Sequence, residues 1–77
     1  MARRMESERV ARKLRELLIE ARGAAGLTQK ELGARIDRPQ SFVSNYERGA
    51  GRVDVADFLV IARALGLDPK ELLGRVE

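Results

Sequence analysis

Thr28-Gln29-Lys30-Glu31-Leu32-Gly33-Ala34-Arg35-Ile36-Asp37-Arg38-Pro39-Gln40-Ser41-Phe42-Val43-Ser44-Asn45-Tyr46-Glu47-Arg48 holds two short helical patterns, parted by three residues that interrupt a helix. The first pattern opens on Thr28-Gln29-Lys30-Glu31, a capping box in which the Thr hydroxyl and the Glu carboxylate each satisfy a free backbone N–H of the first turn. It predicts a helix to about Ile36. The ring of Pro39 disfavours helical backbone at Arg38 but suits the first turn of a new helix, which runs to about Arg48. Gly49-Ala50-Gly51 then breaks it. Two short helices joined in this way form the helix-turn-helix pattern. Projected at about 100° per residue, Gln40, Ser41, Ser44, Asn45 and Arg48 share one arc of the later helix, with Phe42, Val43 and Tyr46 opposite.

The flanking sequence predicts three more helices. Upstream, Val10, Leu14, Leu17, Leu18, Ala21 and Ala25 share one helical face, with Ser7 as N-cap and Gly26 as the stop; Leu27 supplies the apolar contact that accompanies a glycine cap. Downstream, Asp54 and Asp57 cap a helix whose inward side is Val55, Phe58, Leu59, Ala62 and Leu65. Gly66-Leu67 repeats the earlier stop. Asp68-Pro69-Lys70-Glu71 caps a short last helix carrying Leu72 and Leu73, with Gly74 at its fraying end. No stretch alternates with period two, and no internal repeat appears, so the expected fold is all-α with five helices in a single domain spanning 1–77. Residues 1–6 are expected as a flexible N-terminal arm.

Composition excludes most kinds of chemistry. The 77 residues contain neither cysteine nor histidine, which removes disulfides, thiolate and imidazole metal sites, cysteine nucleophiles and histidine-based triads. Asp54, Asp57 and Asp68 resemble an acidic cluster, but each is more simply a cap or first-turn residue facing a helix dipole. No glycine-rich phosphate loop is present, so no enzyme activity, metal or cofactor is expected. The longest apolar run, Phe58 to Ala62, ends at Arg63, so neither a membrane span nor a secretory signal is predicted and a cytoplasmic location is expected.

The net charge of +3 is unevenly spread: residues 1–38 hold ten basic and six acidic side chains, residues 39–77 five and six. Twelve of the fifteen basic residues are arginine, whose planar fork suits phosphate and carboxylate. Nucleic acid, an acidic protein surface and anionic lipid are all compatible with that charge. The outward arc of the later helix discriminates better. It is amide- and hydroxyl-rich where a merely solvated helix would carry Lys and Glu pairs, and Gln, Asn and Ser suit base edges, Gln or Asn pairing with adenine N6 and N7.

From about Leu14 to Leu73 the chain resembles the lambda-repressor-like, or XRE, family of helix-turn-helix DNA-binding domains. The resemblance lies in Gly26-Leu27-Thr28-Gln29-Lys30-Glu31-Leu32, Val43-Ser44-Asn45-Tyr46-Glu47-Arg48-Gly49 and Ala62-Arg63-Ala64-Leu65-Gly66-Leu67, in that order and spacing. It implies a five-helix fold, usually acting as a homodimer on a roughly palindromic double-stranded DNA operator, with the third helix in the major groove. By position, it implies that Gln29 contacts phosphate and braces Gln40, that Gln40 reads a base, and that Ser41, Ser44 and Asn45 make further base contacts. The helix dipole and free N–H groups around Thr28 and Gln29 independently favour a phosphate there. Arg38, Arg48 and Arg52 flank the surface as candidates for further phosphate contacts, or as ordinary solvated arginines. Arg22 and Glu47 correspond to an ion pair tying the first helix to the end of the third, a structural role.

Three positions depart from the family pattern. Asp37 stands where many relatives have glycine, so it adopts a left-handed conformation or the turn is reshaped by Pro39. Pro39 replaces the usual Ser or Thr cap. Phe42 replaces a small polar residue and is expected to pack against the fourth helix rather than touch a thymine methyl. Leu67, Leu72, Leu73 and Val76 offer more apolar surface than a short last helix needs, which predicts a C-terminal dimer interface. The expected function is a sequence-specific DNA-binding transcriptional regulator, a repressor in the leading reading; the alternative is an antitoxin or accessory module that uses the same fold to bind a partner protein. Small stand-alone relatives include restriction–modification controller proteins.

Overall fold

A computed structural model describes residues 2–77, with side chains from Met5 onward. Five helices follow one another: α1 (Ala2–Ala24), α2 (Gln29–Arg35), α3 (Gln40–Glu47), α4 (Val55–Ala64) and α5 (Pro69–Val76), with no strand among the described residues. The long helix sets the shape. At about 1.5 Å per residue, the 23 residues of α1 account for most of the 38 Å long axis. α2 packs on α3 and α4, while α1 lies across α3 and α5, so α3 is clasped from two sides with its remaining face outward.

Four of the helices end in the same way, and the sequence explains each stop. After α1 the Gly26 amide donates to the Gly23 carbonyl (3.0 Å) and the Leu27 amide to Arg22 (3.2 Å), the paired bonds of a Schellman motif. The pattern recurs after α2, α3 and α4, with Asp37, Gly49 and Gly66 as the left-handed residue. Asp37 is the exception in kind: φ is +58° on a residue that carries a Cβ. Of the two outcomes open to the sequence, the left-handed one is adopted. Its cost is smaller than for other side chains, yet glycine avoids it altogether. Asp37→Gly is therefore expected to stabilise the domain by up to about 1 kcal/mol, read as a higher urea midpoint at unchanged slope.

Helix starts also follow the sequence closely. Thr28 Oγ1 accepts from the Glu31 amide (3.0 Å) while Glu31 Oε1 accepts from the Thr28 amide (2.9 Å), completing the capping box. The backbone bond from Thr28, then its hydroxyl, holds the Glu31 carboxyl below its ordinary pKa. Asp54 caps α4 through the Asp57 amide at 2.7 Å, and Asp68 caps α5 through the Lys70 amide at 2.9 Å. Pro39 occupies the N-cap of α3 itself, one residue before the first turn, and offers no side-chain bond.

The core draws on every helix: Leu17 and Leu18 from α1, Leu32 from α2, Val43 and Tyr46 from α3, Phe58, Ile61 and Ala62 from α4, and Leu72 from α5. The Tyr46 hydroxyl is buried with them and finds no hydrogen-bond partner among the described residues. Burial pushes its pKa up to about 12.

The helices depart from expectation at both ends of the chain. α1 begins at Ala2, so Ser7 lies inside it rather than capping it, and residues 2–6, expected as an arm, are helical; Met1 lies outside the described residues. Nothing in that stretch breaks a helix, since Arg, Met and Glu all favour one. Every described side chain from Met5 to Lys13 is exposed, including Val10, which helical periodicity puts on the inward face. Val55 is likewise exposed, at the open first turn of α4. α5 runs through Gly74 to Val76, because Val76 packs back on the core. Leu72, expected at a dimer interface, is 2% exposed and is a core residue of this chain.

Candidate nucleic-acid interface

The turn between α2 and α3 fixes how the outward face is presented. The Arg38 amide donates to the Gly33 carbonyl at 2.9 Å, folding the chain back onto α2. An ideal Cβ at Gly33 would lie 2.7 Å from the Arg38 carbonyl oxygen and 3.4 Å from the Gln40 amide nitrogen. Such contact with backbone is too close for a real side chain, so Gly33 sets the approach of the two helices. This role is invisible along the chain, because the contact is made across the turn.

On α3, Gln40 and Ser41 are exposed, Ser44 and Asn45 are half-buried, and Val43 and Tyr46 are buried on the opposite side. The four polar side chains thus form one outward face. Arg48 is exposed at its end and donates from Nη2 to Asn45 Oδ1, so the two side chains act as one hydrogen-bonded unit. Gly51 approaches the same place: an ideal Cβ there would lie 3.4 Å from Asn45 Cβ. Arg52 follows, exposed, on the loop beyond α3.

Arg38 is more committed than its exposure indicates. Its Nη2 donates to Asp57 Oδ1 at 2.8 Å, and its guanidinium sits 4.4 Å above the Phe42 ring. Phe42 is half-buried, packs against the core, and meets Tyr46 edge-on with centroids 5.6 Å apart. The stack ties the start of α3 to α4. Asp57 therefore does more than begin a helix, a role hidden in the sequence because its partner lies 19 residues away.

A second network holds the other end of α3. Glu47 accepts from Arg22 Nε at 2.7 Å and Nη2 at 2.9 Å, and from Gln29 Nε2 at 2.9 Å. Arg22 also donates to the Leu27 carbonyl at 2.7 Å. One carboxylate thereby joins α1, the start of α2 and the end of α3. Burial opposes the charge on Glu47, but the bonds from Arg22 and Gln29 and the charge of Arg22 outweigh it, so its pKa lies below the ordinary carboxylate range. The hydrogen bond to Glu47 is likewise the main reason the Arg22 pKa is raised. Gln29, expected to brace Gln40, is held by Glu47 here. Thr28 remains exposed at the head of α2.

Among the described residues no cluster of three or more acidic side chains is arranged to hold a metal ion, and no helix is long and apolar enough to cross a membrane. Comparison with known proteins gives the same architecture a family. Residues 9–73 match the model of a helix-turn-helix domain. The chain is similar in structure to an XRE-family like protein from Pseudomonas syringae pv. tomato, with 47% identity, a TM-score of 0.93 and coverage of 97% of this chain and 92% of that one. It is similar to the restriction-modification controller protein C.AhdI from Aeromonas hydrophila, with 35% identity, a TM-score of 0.74 and coverage of 80% and 94%. The clp gene regulator ClgR from C. glutamicum shares the fold, at 24% identity, a TM-score of 0.78 and coverage of 87% and 86%. No curated protein matches the chain. The matched helix-turn-helix region takes in all of α2, α3 and α4 and the turns between them, and on that ground the chain belongs to the XRE-like helix-turn-helix family.

Proposed function

We propose that this chain acts as a homodimeric, sequence-specific repressor that lays α3 in the major groove of a palindromic operator. Membership of the family makes the chain a DNA-binding transcriptional regulator rather than an enzyme. The observation that carries the finer reading is the outward face of α3, where Gln40, Ser41, Ser44 and Asn45 stand together on a helix pinned at both ends. Amides and hydroxyls on a fixed helix suit discrimination of base edges, each good bidentate contact contributing about 1–3 kcal/mol. Thr28, Gln29, Arg48 and Arg52 surround that face and supply phosphate contacts in this reading. Arg38 joins them only by leaving Asp57, so its contribution is the smallest of the set. A cytoplasmic location follows from the same role.

Two-fold pairing gives two recognition helices about 34 Å apart on one face of the duplex. Leu67 and Leu73, 36% and 50% exposed, are the apolar residues left for such an interface, with Val76 at its edge. Leu72 is withdrawn from it. Sedimentation that finds only monomer at micromolar concentration, with and without DNA, counts against the dimer.

The division of labour on the surface gives a direct test. Gln40→Ala is expected to reduce the ratio of specific to random binding by about ten- to a hundredfold, the equivalent of 1–3 kcal/mol. Arg52→Ala is expected to weaken all duplexes alike and to reduce the log–log salt slope by about 0.9. Fluorescence anisotropy titrations against specific and scrambled duplexes separate the two. Equal losses on both duplexes from both variants would overturn the assignment.

A further inference from the structure

Between the N-terminal half of α1 and the loop joining α3 to α4 lies a groove of about 560 Å³. Arg12 and Arg15 reach it from successive turns of α1 and Arg52 from the loop, while Leu18 and Tyr46 contribute to its floor. Glu8 is the one acidic residue in the lining. The loop is kept bare where the arginines gather: an ideal Cβ at Gly49 would lie 3.1 Å from Arg15 Nη1, so the guanidinium rests where a side chain would otherwise stand. Among the described residues none of the three guanidinium groups is in an ion pair. Like charges gathered on two segments repel unless an anion lies between them, and the guanidinium fork matches phosphate oxygens. Tyr46, whose buried hydroxyl has no hydrogen-bond partner among the described residues, also lines the groove. The groove also adjoins the outward face of α3, because Gly51 of the same loop lies against Asn45.

We propose that this groove binds a phosphate group of the duplex backbone, gripped jointly by Arg12, Arg15 and Arg52 while α3 meets the bases. The proposal rests on the DNA reading above and extends the contact surface onto the part of α1 that rises beyond the core. It gives the exposed N-terminal half of α1 a task that core packing does not.

The test compares the wild-type chain, R12Q/R15Q and a control, R63Q/K70Q, which removes the same charge from α4 and α5. Anisotropy titrations with a duplex selected from random DNA, repeated over a salt series, give the slope of log affinity against log salt. R12Q/R15Q is expected to make that slope less steep by up to about 0.9, the value for one neutralised phosphate, with base preference and melting temperature unchanged; the control slope stays at the wild-type value. A wild-type slope in R12Q/R15Q, or the same fall in the control, overturns the proposal and leaves the DNA reading intact. Absence of duplex binding by the wild type overturns the DNA reading itself. A third arm adds inorganic phosphate alone and follows the arginine Nε resonances. Saturable shifts at Arg12 and Arg15 with no change in the DNA salt slope would assign the groove to a free anion and overturn the DNA source.

Discussion

Glu47→Ala is expected to lower the unfolding free energy by about 3 kcal/mol, near the lower end of the range for breaking a buried ion pair. A domain of 77 residues has about 4–12 kcal/mol in all at typical per-residue values, so the change removes a large part of it. The Glu47 side chain is 7% exposed and that of Arg22 19%. Removing the carboxylate leaves the guanidinium half-buried with only the Leu27 carbonyl, and strands the Gln29 amide as well. Arg22→Ala should cost a comparable amount, and the double variant less than the sum, because each single change removes the same bonds. Loss of DNA binding in either variant then reports on the fold rather than on base reading.

The same pair predicts a pH dependence with a definite sign. The folded pKa of Glu47 is lowered, so its contribution is complete above the unfolded carboxyl value of about 4.3 and is lost as pH falls through the folded value. Urea titrations of wild type and Glu47→Gln should therefore differ most at neutral pH and converge in acid. A difference that is constant with pH, or below about 1 kcal/mol as for an exposed pair, contradicts the account.

Gly33→Val is the second large effect, expected to cost about 3 kcal/mol by overpacking. The new side chain would enter space held by the Arg38 carbonyl and the Gln40 amide, and backbone cannot rotate aside as a flexible side chain can. Relief requires α3 to move away from α2, which breaks the Arg38 to Gly33 hydrogen bond and tilts the outward face. With about 4–8 °C per kcal/mol for a domain of this size, the melting temperature should fall by roughly 12–24 °C. Ala34→Val, one residue along on an exposed position of α2, is the control and should change stability by less than about 0.5 kcal/mol. Equal melting temperatures for the two variants would show that the close approach at Gly33 does not govern the turn.

Local chemistry made much of this legible. Gly26, Gly49 and Gly66 end helices because each accepts a left-handed conformation, and Thr28, Asp54 and Asp68 begin them through oxygens aimed at free amides. The face of α3 followed from periodicity. What stayed hidden depends on distant partners. Leu72 and Leu73 are adjacent, so they point about 100° apart and only one can face the core; their sequence does not say which. Gly33 resembles any helical residue until Arg38 folds over it. Asp57 shows its cap locally but its bond to Arg38 only in the fold, and Gln29 is drawn to Glu47, 18 residues on. The start of α1 escaped for another reason: a charged stretch without a breaker reads equally well as an arm or as a helix.

In the function proposed above, α3 reads sequence through Gln40, Ser41, Ser44 and Asn45. Selection of bound duplexes from random DNA at about 0.15 M salt, where exposed charges are screened beyond about 8 Å, tests it most directly. The expected result is a two-fold-symmetric consensus with half-sites about one helical turn apart, and a changed preference within each half-site when Gln40→Ala is used instead. A pool that remains random, or a consensus identical for wild type and Gln40→Ala, would contradict it.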